Sequence, residues 1–76
     1  MKPVTIHWVD IYNLNGWHLA ADLEAPESME ATGYLVRDEP NWVAIATTYC
    51  PGDPGEDSQG VTVFPRGCIL RIEEAE

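Results

Sequence analysis

Residues 61–70 read VTVFPRGCIL. The apolar and β-branched residues on either side are strand-like, but Pro65, Arg66 and Gly67 interrupt them in the middle. Proline fixes φ near about −65° and donates no hydrogen bond, which suits a tight 3₁₀-like turn. Gly67 then reads as the residue that lets the chain leave that turn. The stretch is therefore two short strands joined by a stiff corner. That reading decides the fold class, because short strands with sharp corners favour a small all-β domain over layered strands and helices.

The pattern upstream agrees. WVAIATTY, 42–49, is almost continuously apolar or β-branched, as expected of the most central strand. DEPN, 38–41, supplies the tight turn before it. MEATGYLVRD, 29–38, is strand-like around Tyr34, Leu35 and Val36, with Gly33 expected to mark a bulge or sharp bend. In VTIHWVD, 4–10, Val4, Ile6 and Trp8 face one way while Thr5, His7 and Val9 face the other. NLNG, 13–16, is a turn, and WHLAADLEAP, 17–26, holds Leu19 and Leu23 at helical spacing before Pro26, enough for one short helix. CPGDPGEDSQG, 50–60, has no periodicity and reads as a flexible acidic loop, and 74–76 as an acidic tail.

The expectation is a single domain over 1–76: an all-β, five-stranded SH3-like or Sm-like barrel with one short helix in the loop after strand one. VFPRGCILRI, 63–72, resembles the second motif of the Sm-like RNA-binding proteins, where an apolar strand leads into Arg-Gly and a final apolar strand. The resemblance implies a small barrel, a tendency to form homo-oligomers, and a place for Arg66 and Gly67 at a subunit boundary in contact with ligand. More diffusely, W-x-D at 8–10, G-W at 16–17, G-Y-L-V at 33–36, V-A-I-A at 43–46 and F-P-R-G-C-I at 64–69 resemble short phage-encoded accessory proteins. By analogy these include oligomeric sponges that sequester nucleotide immune signals and so counteract host defence.

Charge limits the partners. Thirteen acidic residues oppose four basic ones, a net of −9, so a long nucleic acid is repelled and no RNA role is expected. No stretch has the roughly 18–20 apolar residues of a membrane span, and no signal segment opens the chain, which points to the cytosol of the cell or of a phage's host. Cys50 and Cys68 are expected to be buried reduced thiols, since a metal site wants about four ligands and only His7 and His18 accompany them. No metal, cofactor or catalytic residue is expected, because neither histidine has a nucleophile beside it in sequence.

The ligand-binding candidates are Arg66, Gly67, Trp17, Tyr12 and Arg37. Arg66 sits on a stiff corner with no adjacent acid, and a fixed guanidinium grips phosphate or carboxylate at lower entropic cost. Trp17 and Tyr12 flank the NLNG turn and offer exposed faces, whereas Trp8 and Trp42 suit a core or subunit interface. Two functions follow. One is a non-enzymatic homo-oligomer that encloses a small anionic, nucleotide-type ligand. The alternative is an acidic interaction module, acting through its surface and the 50–60 loop, that binds and inhibits a basic host or phage protein.

Overall fold

The computed structural model describes residues 1–52 and 57–74, so positions 53–56 of the acidic loop and 75–76 of the tail lie outside the described residues. The chain is all-β. β1 (Pro3–Val9) buries Val4 and Ile6 and turns Trp8 onto the same cluster, as the alternation requires. β2 (Ser28–Asp38) pairs antiparallel with it from Pro3↔Tyr34 to Val9↔Ser28. β3 (Trp42–Ala46) follows the 38–41 turn and is buried from Val43 to Ala46. After a bend at Thr47, β4 (Thr48–Tyr49) pairs with β5 (Ser58–Gln59), then β6 (Thr62–Pro65) and β7 (Ile69–Glu74) complete the chain.

The main sheet has the order β6-β3-β2-β1-β7, so β2 holds its middle, not the more deeply buried β3 that its apolar run suggests. Val4, Ile6, Val43, Ile45 and Phe64 form the core cluster, each burial worth about 1.5–3 kcal/mol. In a flat sheet β1 and β6, three spacings apart, would be separated by about 14 Å. Yet the Trp8 and Phe64 rings meet edge to face with centroids 5.2 Å apart. The sheet therefore curls strongly over its core. Its edges, β6 and β7, do not pair with each other, so the hydrogen-bonded sheet is open.

The corner forms where the sequence places it, as a 3₁₀ turn over Arg66–Cys68 entered from Pro65 at φ −60°. Gly67 plays a different part from the one expected. Its φ is not positive, and a Cβ there would meet nothing within 4 Å, so neither conformation nor space demands glycine. Gly33 also differs. It is regularly paired with Val4, and the bulge of β2 falls at Val36, between the Leu35↔Ile45 and Arg37↔Ala44 pairs. Glycine is needed at 33 for closeness: a Cβ would lie 2.8 Å from the Ala46 carbonyl oxygen.

Three smaller expectations change. The 17–26 helix is reduced to one 3₁₀ turn, Ala20–Asp22, without a side-chain cap. Ser58 and Gln59 leave the 50–60 loop for β5, supported by the Thr47 and Cys50 amides donating to the Gln59 and Asp57 carbonyls at 3.1 and 3.0 Å. Both cysteines are free thiols, but Cys50 is exposed and Cys68 half-buried.

Candidate functional site

The five candidate residues fall at opposite ends of β2. Arg37, Arg66 and Gly67 lie at the corner where β2 ends and β3 begins. The Arg66 amide donates to the Asn41 carbonyl at 2.9 Å, which seats the 3₁₀ turn on the 38–41 turn. Its guanidinium donates to the Asp38 carboxylate and the Glu39 carbonyl. Arg37 pairs with the Glu39 carboxylate, its Nε–Oε1 distance being 3.1 Å, and its guanidinium lies 4.8 Å from the Trp42 ring centre. Folding supplies the acid that Arg66 lacks in sequence; Arg66 ties the 3₁₀ corner to the β2–β3 turn, and Arg37 braces that turn from within.

The other two basic residues are also paired. Lys2 Nζ lies 2.7 Å from Glu74 Oε1, joining the two ends of the described chain, and Arg71 lies 2.9 Å from Glu73. The contact raises the Lys2 pKa and lowers that of Glu74, in both cases chiefly through the hydrogen bond between them. All four cations thus face carboxylates of their own chain, leaving the excess of nine negative charges without an internal counterpart.

At the far end of β2, residues 10–27 prolong the β1–β2 hairpin as an arm. Every residue from 10 to 30 is exposed. Tyr12 donates its hydroxyl to the Glu24 carbonyl and so ties the two legs of the arm together. Gly16, at φ +88°, makes the turn between them, with His18 Nε2 2.9 Å from the Asn15 carbonyl. The longest dimension of the molecule is 54 Å, beyond the roughly 35 Å that its eleven-residue strand β2 spans. The radius of gyration is 15.8 Å, against about 11 Å for a compact chain of this length.

The composition of the arm sets it apart. Ile11 (86% exposed), Trp17 (101%) and Leu19 (72%) stand in solvent, with Tyr12, Leu14, Leu23 and Met29 also exposed. Residues 10–30 carry five acids and no Lys or Arg. A groove of about 430 Å³ at the root of the arm runs between its legs, from residues 10–14 to 24–29. The whole chain exposes 5873 Å², whereas a compact protein of 8.5 kDa exposes about 4,650 Å². The excess, roughly 1,200 Å², exceeds the ~800 Å² that one partner contributes to a standard interface.

Sequence reading selected Trp17 and Tyr12 but not the arm that carries them. The signal is a run holding Ile11 and three leucines, with no period sustained beyond the Leu19–Leu23 pair and acids as its only fixed charges. Among the described residues, no group of three or more His, Cys, Asp or Glu is placed to hold a metal ion, and no helix is long and apolar enough to cross a membrane. His7 lies between two glutamates, its Nδ1 3.5 Å from Glu30 and its Nε2 3.2 Å from Glu73. The Glu73 oxygen is within ion-pair reach of Nε2 but off its hydrogen-bonding direction, so that nitrogen makes no hydrogen bond among the described residues. Comparison with known proteins finds no matching family model, no matching curated protein and no matching solved structure.

Proposed function

We propose that this chain is a non-enzymatic protein-binding module whose arm, residues 10–27 with Met29 of β2 at its root, docks on a basic and partly apolar surface of another protein. One observation carries the reading: the segment with the most exposed apolar side chains is also acidic and free of Lys and Arg, while every cation of the chain is paired internally. Exposed apolar surface of this extent marks an interaction site, and the charge around it selects a partner of opposite sign and steers its approach. The 50–60 loop is not required. The curled sheet acts as the rigid base of the arm, and closure of its edges into an SH3-like barrel belongs to the same proposal.

The nucleotide-sequestering oligomer is the less supported reading. It asks Arg66 and Arg37 to leave Asp38 and Glu39 for a phosphate, and it places them at the opposite end of β2 from Trp17 and Tyr12, so that only a second copy brings all four together.

Tagged protein used to capture partners from extract of the cells that express it separates the two. The expected result is a basic protein that is retained at low salt, released as salt rises through ~0.5 M, kept by Arg66→Ala and lost by the triple variant Ile11→Ser, Leu14→Ser, Trp17→Ala. Capture unaffected by the triple variant overturns the reading. Stabilisation of the protein by a cyclic dinucleotide or an ADP-ribose derivative, abolished by Arg66→Ala, establishes the other.

A further inference from the structure

The groove at the root of the arm narrows the class of partner. Ile11, Tyr12, Leu14 and Met29 give it apolar walls, and its volume of about 430 Å³ lies within the range of roughly 300–1,000 Å³ that binding pockets occupy. The same lining carries Asp10, Glu24 and Glu27 and no cation. A buried apolar side chain with a basic group on either side of it would satisfy both features, because Lys and Arg stems lie along apolar surface while their heads reach the carboxylates.

The form of that partner follows from the backbone. An extended peptide binds by continuing an unpaired strand, but β1 and β2 end at Val9 and Ser28, and residues 10–14 and 24–27 belong to no strand. A helix instead docks through side chains alone, presenting apolar residues at i and i+3 or i+4 with cations beside them. A second copy fits poorly: it brings another −9, and its own arm offers no cation to Asp10, Glu24 or Glu27. We infer that the groove seats the apolar face of a basic amphipathic helix of the partner protein. This inference rests on the proposed function and specifies its contact.

Fluorescence anisotropy with three labelled helical peptides tests it: a Lys/Leu amphipathic helix, a Lys/Ser helix of equal charge and a Glu/Leu helix. The full chain is expected to bind the Lys/Leu peptide at least tenfold more tightly than the Lys/Ser peptide, and the Glu/Leu peptide least. Ala25→Phe fills the groove from an exposed position, and Leu14→Asn removes an apolar wall. Each should weaken Lys/Leu binding at least tenfold, leave Lys/Ser binding unchanged and keep the melting temperature of the parent. Equal, salt-sensitive binding of both basic peptides overturns the groove assignment while leaving an acidic docking surface in place. No preference for basic over acidic peptides overturns the proposed function itself. Concentration-dependent self-association abolished by Ala25→Phe assigns the groove to a second copy and overturns the inference.

Discussion

Replacing Gly33 by alanine probes how closely β2 and β3 approach. The added Cβ would stand 2.8 Å from the Ala46 carbonyl oxygen and 3.3 Å from Ile45 Cδ1. Isoleucine can rotate away, but the oxygen belongs to the backbone of the most buried strand, with Ala46 paired to Tyr34 on one side of the core. About 0.6 Å must be opened to reach ordinary contact, and overpacking of this kind costs about 1–3 kcal/mol. Alanine recovers about 0.4–1 kcal/mol by restricting the unfolded chain, and no positive φ adds strain at this position. The net loss is then centred near about 1.3 kcal/mol, a fall in Tm of roughly 5–10 °C for a domain this small. Urea unfolding followed by tryptophan fluorescence measures it, with an unchanged m-value showing that the same surface is exposed on unfolding. A neutral or stabilising Gly33→Ala would refute the close approach and with it the β2–β3 register.

Other perturbations address the core, the corner and the termini. Phe64→Ala removes a nearly fully buried ring and its edge-to-face partner for Trp8; the expected loss of about 3–5 kcal/mol should leave far-UV circular dichroism showing a largely unfolded chain at physiological temperature. Arg66→Ala cuts the ion pair to the exposed Asp38 carboxylate and the half-buried bond to the Glu39 carbonyl, so calorimetry should register a loss of about 1 kcal/mol with the fold retained. The Lys2–Glu74 pair contributes stability above the usual Glu value of 4.5, which is lost as pH falls through the lowered folded value of Glu74. Its Lys2 contribution is full below 10.5 and is lost as pH rises through the raised folded value. Glu74→Gln should therefore lower the denaturation midpoint at neutral pH and make no difference in acid well below 4.5.

Local chemistry made much of the fold legible. Alternation in 4–10 named the buried face of β1, and Pro65 located the 3₁₀ corner because its φ restriction acts within a residue or two. The role of Gly33 was hidden because the constraint comes from Ala46, thirteen residues away, and no local pattern records a close approach to another strand. Arg66 looked unpaired for the same reason: its acid lies 28 positions upstream and meets it only when the β2–β3 turn folds against the corner. Within 17–26 the helix stops at the single 3₁₀ turn Ala20–Asp22, because Leu19 and Leu23 have the spacing but stand exposed, and an uncapped turn without packing is not extended by propensity alone. Tyr12 and Trp17 are exposed, as their place beside the NLNG turn suggests, and the structure puts Tyr12 in the wall of the acid-lined groove, with Trp17 outside it.

Docking at the arm and docking at the arginine corner leave different marks on the backbone. Amide hydrogen exchange of the protein, alone and saturated with the Lys/Leu peptide, reads both ends of β2 in one experiment. Docking at the arm predicts slowed exchange across residues 10–29 and unchanged exchange across 37–42 and 65–68. Protection confined to the corner, with the arm exchanging as freely as before, would contradict it.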